Sequence, residues 1–330
     1  MLSKSTKIFF NYAIGLGLFI WLSFSLYHEV RDQKNLRVAL LHLREIWDGP
    51  ALWVLLLVLL MMVVNWGIEA RKWQLLVQPL EDIPFRRSFY AILSGVSFSV
   101  NTPNRIGEYG GRVLYLKNTN KLRAISVTLV GSFSQLIVTI FLGLIGLVYY
   151  INNFNIIKSN SYFAPNFWEK IVLFILIAVA AATLFFYFRL QVIVSIFNRI
   201  RILRRFRRYV VVINRFSTAT LARLLLLSAC RYVVFSAQYL ILLRLMGVEI
   251  LWWQGFLMVS TIYLVMSLLP TIAIAEIGIR GQVGLYFLGL LSNNSVGIIA
   301  ATFGIWFINL IIPAIAGSIL MLGIRIFTDK

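Results

Sequence analysis

Long apolar runs separated by short polar segments set the pattern of this chain. Hydrophobic stretches occupy Ile8 to Tyr27, Ala51 to Ile68, Ile125 to Tyr150, Ile171 to Phe188, Leu221 to Leu245 and Gly297 to Gly323. Each is near or beyond the ~20 residues a helix needs to cross a hydrocarbon core about 30 Å thick. The pattern therefore predicts an all-α polytopic membrane protein with about six full transmembrane helices, forming a single integral membrane domain over 1–330.

Two further apolar segments are interrupted. In the first, about 88–122, an apolar arm meets Asn101-Thr102-Pro103-Asn104-Arg105, and Gly107, Glu108, Gly110, Gly111 and Arg112 follow. In the second, about 252–291, an apolar arm runs to Leu269, and Pro270 precedes a stretch carrying Glu276, Gly278 and Arg280. Proline removes a donor and breaks a helix, and glycine permits close backbone approach, so Pro103, Gly107, Gly110, Pro270 and Gly278 are the expected helix breaks. Each segment should enter and leave on one side, as a re-entrant helical hairpin. Glu108 to Arg112 and Glu276 to Arg280 share the spacing E-x-G-x-R, a sign of an internal repeat.

Charge orients these elements. The segment Glu69 to Arg87, read as a loop, holds Arg71, Lys72, Arg86 and Arg87, and Arg189 to Arg215 holds eight arginines and no acid. Both should be cytoplasmic by the positive-inside rule. His28 to Pro50 balances four basic against four acidic residues and should face outward. Both termini are then cytoplasmic, in a bacterial inner membrane. The hairpins open to opposite faces, the arrangement of an inverted repeat around a midplane site. Interfacial helices are expected along the arginine run from Arg199 to Arg208 and over Leu36, Leu40, Leu43 and Trp47. Ile8 to Tyr27 is too long for a signal-peptide core and has no cleavage pattern after it, so it is read as a retained span.

Composition agrees. Hydrophobic residues make up 60% of the chain and charged ones 13%, against about 25% charged in soluble domains, and the mean hydropathy is +0.85. A net charge of +19 would suggest nucleic acid in a soluble protein. Here it sits in loops between spans and is explained by orientation and anionic headgroups, so no nucleic-acid partner is expected. Cys230 is single, which excludes an internal disulfide. His28 and His42 have no companions at ligand spacing, so no metal and no cofactor is expected.

The remaining chemistry lies in the interrupted segments. Arg112 and Arg280 offer planar forks suited to phosphate, and Glu108 and Glu276, four residues earlier, would orient them. Helices restarting after the breaks would aim their N-termini into the same space. Together these residues describe an anion site of a size for a lipid phosphate. The alternative is that each Glu/Arg pair is a structural clamp at a broken helix. Arg231, deep in the span from Leu221, is a further candidate with Tyr232 and Gln238 near it; its alternatives are snorkelling or pairing with Glu108 or Glu276.

Thr102-Pro103-Asn104-Arg105-Ile106-Gly107-Glu108, followed by Arg112, resembles the signature of the lysylphosphatidylglycerol synthase transmembrane region, also called the flippase-like domain family. The likeness covers essentially the whole chain, with Arg231, Tyr232 and Gln238 and the late proline-then-glutamate segment. It departs at Pro270 to Glu276, where paired glycines of the family pattern are missing. In bifunctional members a soluble aminoacyl-transfer domain follows the membrane region; here Lys330 comes seven residues after the last span, and the synthase activity is not inherited. The resemblance implies a lipid flippase or lipid-handling transporter whose partners are membrane lipids, with anionic phospholipid the expected cargo. Rival readings are a membrane-embedded transferase acting on a lipid-linked substrate and a non-catalytic subunit of a membrane complex. No nucleophile with its base and no nucleotide loop is visible to favour an enzyme.

Overall fold

A computed structural model describes residues 51–322 apart from 101, 103, 104, 118–120, 155–164, 201–206 and 270–272. The expected first span and both termini lie outside the described residues. Among those described, all regular structure is helical.

The helices are α1 Ala51–Val77, α2 Phe85–Val100, α3 Gly107–Val113, α4 Lys121–Phe154, α5 Pro165–Phe188, α6 Leu190–Arg199, α7 Arg207–Val210, α8 Thr218–Leu245, α9 Trp252–Leu268, α10 Ala273–Leu288, α11 Ser295–Trp306 and α12 Ile312–Met321. A π-helical turn, Phe307–Ile311, joins α11 to α12. Counting that pair as one, four helices among the described residues are long and apolar enough to cross a membrane. The number is five if α5 and α6, bent by 83° at Arg189, form one broken span. Leu56, Leu60 and Val64 on α1 and Phe174, Ile177 and Phe185 on α5 are exposed, as expected of surfaces facing acyl chains.

One expectation is overturned. Glu69, Arg71 and Lys72 do not begin a loop, because α1 continues to Val77. Charge density marked the segment as loop, but Glu69 and Lys72 pair with each other one turn apart, and buried charges are tolerated inside a bundle when paired.

The interrupted segments form helix–break–helix units. In the first, α2 and α3 pack against each other so closely that a Cβ on Gly111 would lie 2.6 Å from the Cα of Gly95. Thr102 Oγ1 accepts from the Gly107 N–H at 2.7 Å, tying the turn to the start of α3. Arg105 within the turn adopts φ 56°, a left-handed conformation that few non-glycine residues occupy. In the second unit α9 and α10 are nearly equal, at 17 and 16 residues. Gly110 lies inside α3 and Gly278 inside α10, so the helices are interrupted ahead of both. Pro103 and Pro270 lie outside the described residues.

The two units sit on different parts of the bundle: α2 packs on α1 and α12, whereas α9 packs on α4 and α10 on α11. Helix α8 packs against α1, α4 and α11. Ser217 caps its start by accepting from the Thr220 N–H at 3.2 Å, and Gly247, at φ 71°, ends it.

Candidate functional site

Four polar residues lie near the centres of four long helices. Asn65 is in the middle of α1, Gln135 towards the middle of α4, Arg231 midway along α8, and Asn309 in the π turn between α11 and α12. Such positions are the most costly for polar groups in a membrane helix. All four line one cavity of about 190 Å³.

Arginines reach this cavity from three elements: Arg105 from the turn of the first unit, Arg231 from α8 and Arg280 from α10 of the second. Aromatic side chains complete much of the wall. Trp66 comes from α1, Tyr232 and Phe235 from α8, Tyr263 from α9, and Trp306 from the end of α11. Phe235 and Tyr263 stack with centroids 5.4 Å apart. Among the described residues no Asp or Glu lines the cavity.

Arg231 is held from three directions. Its Nε donates to Asn65 Oδ1 at 3.1 Å, its Nη1 donates to Glu69 Oε2 at 3.1 Å, and its guanidinium lies 4.9 Å above the Trp66 ring. Asn65 and Glu69 are one turn apart on α1, so a single helix face presents both acceptors. Glu108, one of the partners the sequence offered it, pairs with Arg112 instead.

Behind the cavity wall, Glu69 gathers three cations. Lys72 Nζ lies 2.8 Å from its Oε2, Arg231 shares that oxygen, and Arg112 Nη2 donates to Oε1 at 3.0 Å. Arg112 also pairs with Glu108 one turn earlier on α3. Lys72 Nζ further donates to Ser228 Oγ on α8 at 3.4 Å. Only 5% of the Glu69 side chain is exposed. Four charged groups in so dry a place are compatible only with mutual pairing and hydrogen bonding.

A chain of carboxamides extends the network. Asn65 Nδ2 donates to Asn309 Oδ1 at 3.3 Å, Asn309 Nδ2 to Gln238 Oε1 at 2.9 Å, and Gln238 Nε2 to the Val58 carbonyl at 2.8 Å. The last contact anchors the polar string to the backbone of α1.

The sequence candidates thus separate. Arg231 and Arg280 line the cavity, with Tyr232 beside them. Arg112 and Glu108 form the clamp behind it, Arg112 being 4% exposed. Gln238 is fully buried and acts on the cavity through Asn309. The side chain of Glu276 lies outside the described residues. Sequence reasoning missed Asn65, Glu69, Lys72 and Asn309. The signal for the first three was the spacing Asn65, Glu69, Lys72 along one helical face, hidden once the segment was read as loop. Arg105 was noted in the break but not assigned to the site.

Fold and cavity together define a multi-pass membrane protein with an arginine-bearing cavity among its helices. Residues 8–317 match the family described as Lysylphosphatidylglycerol synthase TM region, and the chain belongs to that family. No curated protein matches the chain.

Proposed function

We propose that the protein moves a phosphate-bearing lipid, an anionic phospholipid, between the leaflets of the bacterial cytoplasmic membrane, with the arginine cavity holding the headgroup. One observation carries this reading: Arg105 and Arg280, from the two interrupted units, converge with Arg231 on one cavity at mid-helix depth. A headgroup crossing hydrocarbon without such a site would lose its hydration at a cost of many kcal/mol. Fixed guanidinium groups would substitute for that water and lower the barrier. The acyl chains need no such help and would stay in lipid beside the groove. The departure of Arg105 from ordinary backbone geometry supports the assignment, since strain retained in a turn is common where a side chain must be aimed.

On this reading α2–α3 and α9–α10 are re-entrant hairpins opening to opposite sides, related as inverted repeats among six full spans, and each gates the cavity towards one leaflet. Both termini face the cytoplasm. Glu69 links the gates' common site to the first hairpin, because the same carboxylate holds Arg231 in the cavity wall and Arg112 on α3.

The test is purified protein in liposomes with labelled phosphatidylglycerol, measuring how fast the outer leaflet loses and regains label. Faster equilibration than in empty vesicles is expected, with Arg280→Lys and Arg231→Lys slower. Equal rates for wild type and empty vesicles, across anionic, zwitterionic, aminoacylated and polyprenyl-phosphate lipids, would overturn the reading.

A further inference from the structure

Helix α5 ends on the exposed rings of Phe185 and Phe188, and the chain then bends by 83° at Arg189 into α6. The 24 residues of α5 reach about 36 Å at ~1.5 Å per residue, enough to cross the hydrocarbon and end at its edge. A helix turned almost at a right angle to that span lies along the membrane surface.

The faces of α6 suit such a position. Leu190 and Val194, one turn apart, are buried in the core of the protein. Gln191, Ser195 and Arg199 form a polar stripe, and Gln191 and Arg199 are exposed. Val192 and Ile196, followed by Ile200 just past the last turn, are apolar yet 37%, 41% and 45% exposed. Residues four apart share a helix face, so the polar and the exposed apolar stripes run side by side. The segment is tied down rather than loose. Tyr187 Oη donates to the Leu221 carbonyl at 2.9 Å, Arg215 Nη1 donates to the Pro79 carbonyl at 3.1 Å, and Val210, Val212 and Ile213 are buried.

Charge identifies what covers the open stripe. No acidic residue occurs between Lys170 and Glu249. Arg199, Arg207 and Arg208 are exposed and take part in none of the ion pairs among the described residues. Arg208 lies 4.8 Å over the Tyr209 ring. Helix α4, which packs on α7, adds Lys121 and Arg123. Near Pro79, Glu81 is already engaged by the Lys117 N–H and by Arg87, which leaves Asp82 as the remaining acid of that turn. Water would leave the apolar stripe uncovered, and an apolar protein face would leave the arginines without counter-ions. The boundary between acyl chains and anionic headgroups satisfies both.

We infer that α6, α7 and the 3₁₀ turn Val211–Arg215 form a shelf that binds the anionic surface of the leaflet it lies against. Val192, Ile196 and Ile200 enter the acyl boundary, and Arg199, Arg207 and Arg208 take lipid phosphates. None of these residues lines the arginine cavity, so the shelf is a second lipid site that stands whatever the cavity carries. Orienting the chain during insertion needs only the charge of the arginines; holding anionic lipid in the finished protein is a separate property with its own signature.

The test places one fluorescent label on full-length protein carrying Cys230→Ser, through Ile196→Cys on the apolar stripe or Gln191→Cys on the polar one. The protein is reconstituted in vesicles of phosphatidylcholine with a minority of phosphatidylglycerol, and a quencher high on the acyl chain is carried by one lipid or the other. The label at 196 should be quenched strongly and the label at 191 far less. At equal quencher content phosphatidylglycerol should quench position 196 severalfold better than phosphatidylcholine. That preference should vanish near 1 M salt, where the screening length falls to about 3 Å. Arg199→Gln, Arg207→Gln and Arg208→Gln together should remove the preference and leave quenching by phosphatidylcholine in place. Absence of lipid quenching at 196 would mean that water or protein covers the stripe, and would overturn the inference. Equal quenching by the two lipids at low salt would overturn it as well, leaving the arginines as an orientation signal. Neither readout depends on whether the protein transports lipid, so failure of the flippase reading and failure of the shelf are told apart.

Discussion

Arg231 and Glu69, 162 residues apart in sequence, meet at 3.1 Å between α8 and α1 and join the cavity to the ion cluster behind it. Arg231 lines the cavity while its Nη1 donates to the carboxylate. Any anion that draws Arg231 forward acts against its hold on Glu69, and Glu69 in turn holds Arg112 on the first interrupted unit. This contact joins the cavity wall to the first interrupted unit.

Replacing Arg231 by Lys keeps the charge but cannot satisfy Asn65 Oδ1 and Glu69 Oε2 at once. Lipid equilibration in liposomes should fall about tenfold or more while the amount of inserted protein is unchanged. Full activity of Arg231→Lys would remove this residue from the site.

Glu69→Gln leaves Lys72, Arg112 and Arg231 with one paired carboxylate among the described residues, Glu108 on Arg112. Removing one partner from a buried ion pair costs about 3–5 kcal/mol, so thermal stability in detergent should drop sharply. Adding Lys72→Met to Glu69→Gln removes one of the stranded cations and should recover part of the loss. A double variant no more stable than the single one would show that Glu69 does not act as the common counter-ion.

Arg112 and Arg280 look alike in sequence but should behave differently. Arg112 is buried in the clamp with Glu69 and Glu108, whereas Arg280 lines the cavity. Arg112→Lys should lower melting temperature and membrane yield. Arg280→Lys should lower transport rate with both preserved. Thermal melting and initial rates on the two proteins side by side check the contrast, and the reverse pattern would exchange their roles.

Neighbouring glycines in α3 give a packing test. A Cβ on Gly111 would lie 2.6 Å from both Gly95 Cα and the Ser94 carbonyl oxygen, whereas one on Gly110 meets nothing within 4 Å. Gly111→Ala must push α3 off α2, at a cost of about 1–3 kcal/mol typical of overpacking. Gly110→Ala should be neutral or slightly stabilising, by up to about 1 kcal/mol from helix propensity. Expression level and melting temperature distinguish them.

The sequence by itself determined the solvent, the helical class and four of the six expected spans, because hydrocarbon admits no unsatisfied backbone and a run of about 20 apolar residues has few other fates. It also marked both interrupted segments, and α2–α3 and α9–α10 stand where it put them. Periodicity and composition are local properties, and those features are local. The site is not. Whether Arg112 or Arg231 faces the cavity depends on how α1 is placed against α8 and α3, and no spacing within one helix reveals that. Glu69 was misread as the edge of a loop because a charge looks the same in sequence whether water or cations surround it; Lys72 comes from the same helix, but only the tertiary structure brings Arg112 and Arg231 to it. The π turn Phe307–Ile311 lies just ahead of Pro313, which has no N–H for the Asn309 carbonyl and so marks the irregularity locally; that Asn309 there meets Asn65 and Gln238 is decided by packing.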